Sequence, residues 1–283
     1  MIENADASIR SVMKDLTPVP ARARVIGLTG APGAGKSTVT GALIKAFRQA
    51  GVRVAVLAVD PSSPFSGGAL LGDRVRMADH ATDSGTYIRS MASRGQLGGL
   101  AAATPQAVRA LEAAGFGVVL LETVGVGQAE VEVASAADST VVLVVPGMGD
   151  DIQAAKAGVL EIADVLVVNK ADRPDVQPTV RDLRNMVALS DADWKPPIVT
   201  TIGTTGEGID ELVRQLDRHW TWLGETGERD RRRMARASDE VTALALGAAR
   251  ERLAVPGELA ARVAAGELAP HDAAAELLAS AGL

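Results

Sequence analysis

The sequence predicts an α/β protein: a mostly parallel β-sheet with helices on both faces, followed by a helical C-terminal appendage. Short β-branched runs recur along the chain, each apolar without interruption, as expected of strands covered on both faces. Most are separated by stretches of helical character, the pattern of a parallel sheet whose crossovers are helices. From Ser238 to Leu283 the spacing turns helical throughout, with Val241, Leu244 and Ala248 on one face.

In chain order, residues 1–24 form an arm with prolines at 18 and 20. The strand-like runs are Val25 to Leu28, Val52 to Val59, Val118 to Leu121, Thr140 to Val145, Val165 to Val168 and Ile198 to Thr201. Thr38 to Ala50 reads as a helix that follows a glycine-rich loop and stops at Gly51. Thr104-Pro105 reads as a capping residue and an N1 proline ahead of an alanine-rich helix ending at Gly115. The sheet domain thus spans residues 25–220, and residues 221–283 form the helical C-terminal region. Within the latter, Glu228 to Arg233 reads ERDRRR, a solvated charged face.

Composition narrows the function. Lys and Arg total 29 against 35 Asp and Glu, a formal charge of −6, which argues against nucleic acid as a partner. With 47% hydrophobic and 23% charged residues the chain can bury a core. It holds no cysteine, which excludes disulfide scaffolds, thiolate nucleophiles and thiolate metal sites. Met1 to Arg10 lacks the plan of a signal peptide, and no apolar run approaches the roughly 20 residues that span a bilayer, so a soluble, cytoplasmic protein without a membrane partner is expected.

Gly30-Ala31-Pro32-Gly33-Ala34-Gly35-Lys36-Ser37 matches the phosphate-loop pattern, directly after one strand and before the helix that Thr38 joins. Its glycines let successive N–H groups point into one concavity at the positive end of a helix dipole, which suits a nucleotide β-phosphate. Lys36 would neutralise β/γ oxygens, and the Ser37 hydroxyl would ligate Mg²⁺. Asn169-Lys170-Ala171-Asp172 follows the strand Val165 to Val168. A carboxylate only accepts hydrogen bonds, so Asp172 can pair with the N1–H and amine of guanine, a donor pair that adenine lacks. Lys170 can lie over the base, Asn169 can brace neighbouring loops, and Thr201-Ile202-Gly203 supplies a further turn. GTP or GDP is the expected ligand.

Three carboxylates complete the reading. Asp60 and Glu122 each end a strand, at the same sheet edge as the phosphate loop, where they can hold the magnesium shell or the attacking water. Gly125 follows Glu122 closely enough for its N–H to bond the γ-phosphate. Asp73 lies in a glycine-rich segment, and its position fits a loop over the phosphates and a solvated loop charge equally well. Val126 stands where Ras-like GTPases place a water-positioning Gln, and the next Gln is Gln128, so slow intrinsic hydrolysis is expected.

With these residues the sequence resembles the MeaB/ArgK GTPases, relatives of the human methylmalonic aciduria type A protein. The resemblance spans about residues 25–283. It rests on VIGLTGAPGAGKST, VDPSSPFSGGALLGDRVRM, LLETVGVGQAEVEVA, GMGDDIQAAKAGVLEIADVLVVNKAD, GEGIDEL and VAAGELAPHDAAAELL. It implies a SIMIBI-type P-loop NTPase fold and a homodimer; the apolar faces of the C-terminal helices, too short for a core of their own, are expected to form the dimer contact, the alternative being packing on their own sheet domain. The implied activity is a GTPase that escorts an adenosylcobalamin-dependent acyl-CoA mutase, gating cofactor loading and protecting or reactivating the mutase. It further implies that Asp60, Asp73 and Glu122 are the metal and catalytic carboxylates, and that Gln153 and Lys156 form a third switch. Without the resemblance those two would read as solvated helix-face residues. The alternatives are a metal-centre chaperone, disfavoured by the lack of Cys and the wide spacing of His80, His219 and His271, and a kinase or ATPase tied to amino-acid transport, disfavoured by Asp172.

Overall fold

The computed structural model describes residues 9–16, 23–60, 82–92, 99–123, 129–147 and 161–282. Seven strands pair in one sheet: β1 (Arg24–Gly30), β2 (Val54–Asp60), β3 (Thr86–Ala92), β4 (Val118–Thr123), β5 (Ser139–Val144), β6 (Val165–Asn169) and β7 (Ile198–Thr201). Their order is β3-β2-β4-β1-β5-β6-β7, and every pairing is parallel. The described helices are α1 (Ile9–Leu16), α2 (Lys36–Gln49), α3 (Gly99–Ala113), α4 (Ala129–Ala136), α5 (Val176–Ala188), α6 (Ile209–Glu225), α7 (Glu228–Arg252), α8 (Gly257–Ala264) and α9 (Pro270–Ala281).

Alternation along each strand explains the uninterrupted apolar runs. Ile26, Leu28, Val54, Val56, Val118, Leu120, Val141, Leu143, Val165 and Val167 face α2 and α6, where they pack with Leu43, Ile44, Leu212 and Leu216. The intervening Val25, Leu57, Val59, Val119 and Leu121 meet Ala107, Leu111 and Val133 on the opposite face, and Val142, Val144, Leu166 and Val168 meet Val180 and Leu183. Both faces are apolar because both are covered.

β3 is absent from the strand-like runs of the sequence because it is an edge strand. Tyr87 and Arg89 are exposed, so it alternates instead of running apolar. Its entry is fixed by Asp83, which accepts from the Gly85 N–H at 2.8 Å and from Arg48 Nε and Nη2 at 2.7 and 3.0 Å. The guanidinium of Arg48 holds that carboxyl well below its ordinary pKa. The expected helix start at Thr104-Pro105 is also corrected: α3 begins at Gly99 and carries Pro105 inside. A mid-helix proline costs about 3 kcal/mol, opposed here by the burial of Ala107 and Leu111 against the sheet.

The amino edge of the sheet overturns a second expectation. The ERDRRR run lies in α7 and is not simply a solvated face. Arg232 forks onto Asp164 (Nη1 to Oδ2 2.9 Å, Nη2 to Oδ1 3.0 Å), and Arg236 Nη2 donates to Asp138 Oδ1 at 2.5 Å. The two carboxylates in turn accept from the sheet backbone: Val25 N to Asp138 Oδ2 at 3.0 Å and Thr140 N to Asp164 Oδ2 at 2.7 Å. Asp138 and Asp164 are 1% and 5% exposed, so the arginines neutralise charges that burial alone would make costly.

Beside them His219 is fully buried and stacks with Trp222, ring centroids 5.6 Å apart. Its Nδ1 lies 2.8 Å from Ser139 Oγ, and its Nε2 lies 3.2 Å from Asp164 Oδ1 outside hydrogen-bonding geometry. Serine, histidine and aspartate line up like a nucleophile relay, but all three are buried and Asp164 is already engaged by Arg232 and the Thr140 N–H, so their role is structural. Burial pushes the imidazole pKa down to about 4, against the opposing pull of Asp164.

The chain divides into two compact units, residues 1–236 and 237–283. The second is helical, with Arg262 paired to Glu276 at 3.0 Å and with Val241, Leu244 and Leu246 exposed.

The low folded pKa of His219 predicts an acid sensitivity. The unfolded chain takes the proton near pH 6.5 and the folded chain near pH 4, so the His219 contribution is complete above pH 6.5 and is lost as the pH falls towards 4. The full loss is on the order of 3 kcal/mol. Urea unfolding of wild type and His219→Gln at pH 7, 5.5 and 4.5 should show a shallower decline in the variant. Parallel declines would contradict this account.

Candidate nucleotide site

The site is built where β1, at the centre of the sheet, gives way to α2 at the carboxyl edge, the place where open α/β sheets bind ligands. Gly30 has φ 136°, and an added Cβ would lie 2.2 Å from the Leu143 carbonyl oxygen. Gly35 precedes α2 at φ 90°, and a Cβ there would lie 2.3 Å from Asn169 Nδ2. Both positions require glycine for conformation and for space. Between them the loop 31–35 leads to the N-terminus of α2, whose first N–H groups have no helical acceptor. Lys36 is 6% exposed, and its ammonium donates to the carbonyls of Gly30 at 2.6 Å and Ala31 at 3.1 Å.

Glu122 arrives from β4, in register with Leu28 of β1 and Ala58 of β2, and is 2% exposed. Its Oε1 accepts from Ser37 Oγ at 2.5 Å and its Oε2 from Thr40 Oγ1 at 2.9 Å. The expected neighbour Asp60 closes β2 beside β4, with Val59 opposite Thr123, so its backbone reaches the same edge; its side chain is not among those described. Asp73, Gly125, Gln153 and Lys156 lie outside the described residues. Thr40 was not anticipated. The signal was present, since it follows Ser37 by three residues and a helix places such pairs on one face.

Asn169 ties the phosphate loop to the base loops. Its Nδ2 donates to the Ala34 carbonyl at 2.8 Å, and its Oδ1 accepts from Thr201 Oγ1 at 3.0 Å and from the Gly203 N–H at 3.1 Å. One buried carboxamide thereby joins the phosphate loop that follows β1 to the ends of β6 and β7. Lys170, at φ 59°, reaches back so that Nζ donates to the Gly33 carbonyl at 2.8 Å, and its stem spans the gap between the phosphate loop and the base loop. The Ala171 N–H bonds the Thr201 carbonyl at 3.0 Å, and Ile202 bridges Glu207, which closes the turn that Ile202 and Gly203 begin. Asp172 is exposed at the rim, its carboxylate open to a ligand edge. Thr38 is exposed on the first turn of α2.

A glycine-rich phosphate loop opening a helix at the carboxyl edge of an all-parallel sheet, next to an Asn-Lys-Ala-Asp base loop, defines a P-loop GTPase. The chain binds guanine nucleotide and is a GTP hydrolase. It belongs to the MeaB family: the model of that family, described as methylmalonyl-CoA mutase-associated GTPase MeaB, matches residues 1–255. A putative GTPase of Pyrococcus horikoshii is 47% identical over 252 residues, 87% of this chain and 80% of that protein. GTPase ArgK of Escherichia coli is 42% identical over 194 residues, 66% of this chain and 58% of that protein. Among solved structures, that of a LAO/AO transport system kinase aligns with TM-score 0.71 at 25% identity, covering 97% of this chain and 86% of the other.

Replacing Asn169 by Ala removes one donor and one acceptor from three buried or half-buried partners at once. Each buried group left unpaired costs about 1–3 kcal/mol. Asn169→Ala should lower unfolding stability by about 3 kcal/mol and weaken GDP binding at least about tenfold, read by urea unfolding and calorimetry. GDP affinity within twofold of wild type would mean that the two loops do not depend on this residue.

Proposed function

We propose that this GTPase is Mg²⁺-dependent and serves as the chaperone of an adenosylcobalamin-dependent acyl-CoA mutase, gating cofactor loading and protecting or reactivating the mutase. The supporting observation is the mutase association in the name of the family whose model matches residues 1–255, on a chain whose phosphate and base loops share one bracing residue. The proposal includes a homodimer, built on the C-terminal helices where Val241, Leu244 and Leu246 are exposed, and a cytoplasmic location. Among the described residues no helix is long and apolar enough to cross a membrane.

In this reading the phosphate loop N–H groups and Lys36 hold the β- and γ-phosphates, and Asp172 accepts from the guanine N1–H and amine. Lys170 lies along the base. Water adds to the γ-phosphorus as the bond to the β-phosphate oxygen breaks, giving GDP and phosphate. The donors in place suit magnesium, which prefers hard oxygen ligands: the Ser37 hydroxyl and the Glu122 carboxylate stand together at the end of the loop. Held by Ser37 with Glu122 behind it, a bound Mg²⁺ would act as a Lewis acid and offset negative charge developing on the phosphates. Ser37 can turn an oxygen lone pair towards a cation only if its proton goes elsewhere, and Glu122 Oε1 takes it. Asp60 and Asp73 are assigned to the metal shell or the attacking water, and Gly125 to the γ-phosphate. Gln153 and Lys156 are assigned to a segment that the mutase orders near the nucleotide, adding positive charge that the Val126 site lacks.

Two measurements test this. GTP turnover should rise on adding the cognate acyl-CoA mutase co-purified from the native cell, and Lys156→Ala should lose that rise; a cognate mutase without effect on wild type would overturn the chaperone reading. Asp172→Asn should shift preference from GTP towards XTP, because the amide donates where xanthine carries a carbonyl. Full retention of GTP preference would place base recognition elsewhere.

A further inference from the structure

The phosphate-loop helix carries a hydroxyl that the loop pattern does not call for. Thr40 is 0% exposed, one turn after Ser37 in α2. A threonine inside a helix commonly bonds back to a carbonyl of the preceding turn. Thr40 instead crosses from α2 to β4 and donates to Glu122 Oε2 at 2.9 Å, while Ser37 donates to Oε1 of the same carboxylate at 2.5 Å.

We propose that Thr40 is a positioning residue of the GTPase site: it fixes the plane of the Glu122 carboxylate so that Oε1 receives the Ser37 proton and the Ser37 lone pairs face the cation. The proposal rests on the Mg²⁺-dependent reading above.

A carboxylate turns about its last side-chain bond across a broad, roughly two-fold well, so one donor does not hold its plane. A second donor on the other oxygen does. Ser37 and Thr40 are borne by the same helix turn, so their spacing is set by helix geometry and the carboxylate is held between two points of fixed separation. Orientation of a ligand by the groups behind it commonly changes metal affinity by 10- to 100-fold. Removing the Thr40 hydroxyl takes the 2.9 Å donor from Oε2, so the carboxylate plane is no longer set by two points on the helix turn and the Ser37 hydroxyl is less firmly aimed. The rest of the Thr40 side chain is a buried, methyl-bearing β-branch on the face of α2 that also carries Leu43 and Ile44, and valine reproduces that shape.

The test uses the full chain, a fluorescent N-methylanthraniloyl-GDP probe, and titrations in Mg²⁺ and in EDTA. The reading is the ratio of the two affinities, which isolates the coupling between cation and nucleotide. Thr40→Val should reduce that ratio about tenfold and Thr40→Ser should restore it. A purely structural role would weaken binding in both conditions and leave the ratio unchanged, which would overturn the proposal. Thr40→Ala, with less bulk to accommodate, gives the same reading if the valine variant fails to fold. If wild type binds the probe equally well in Mg²⁺ and EDTA, the Mg²⁺-dependent reading fails, and the role of Thr40 with it; a wild-type Mg²⁺ effect that Thr40→Val leaves intact sinks the Thr40 role alone.

Discussion

The nucleotide site depends on one carboxamide. Asn169 meets the Ala34 carbonyl on one side and the Thr201 hydroxyl and Gly203 N–H on the other, so the phosphate loop and the ends of β6 and β7 share a single polar bracing point. The arrangement explains why Gly35 has to be glycine: any Cβ would occupy the space of the Asn169 amide. It also explains how a base loop carried by β6 is set at a fixed distance from a phosphate loop carried by β1, although β5 lies between them. Lys170 repeats the connection at the surface through the Gly33 carbonyl.

The amino edge of the same sheet is built on a different principle. There Asp138 and Asp164 stand just before β5 and β6, take backbone N–H groups from the sheet, and are neutralised by arginines of α7. Trp194 adds its indole N–H to the Asp164 carbonyl at 2.8 Å and packs against His219. The strand that ends in Asn169 is therefore anchored at its start by a charge network and at its finish by a neutral one. Buried charges need full pairing, which the forked geometry of Arg232 supplies.

Much of this was legible in the residues. Strands covered on both faces announce themselves as apolar runs, so β1, β2, β4, β5 and β6 could be placed; the edge strand β7, with Thr200 exposed, was still visible from its β-branched Ile198-Val199-Thr200-Thr201, and the eight-residue phosphate loop could be assigned from its glycines and their position after a strand. β3 could not, because an edge strand that exposes Tyr87 and Arg89 has no such run. Thr104-Pro105 has the local chemistry of a helix start, and tertiary burial overrode it. The ERDRRR run looked like a solvated face because its partners, Asp138 and Asp164, are distant in sequence and only the fold brings them near. The bond from Thr40 to Glu122 was hidden for the same reason: helix periodicity pairs Thr40 with Ser37, but nothing local points to β4.

Amide hydrogen exchange of the wild-type chain with and without GDP and Mg²⁺ tests the central claim that the phosphate and base loops act as one unit through Asn169. The account predicts that the nucleotide slows exchange in residues 30–38 and in residues 201–206 together, with the amino edge around Asp138 and Asp164 unchanged. Protection confined to residues 30–38, with the turn after β7 exchanging as before, would contradict it.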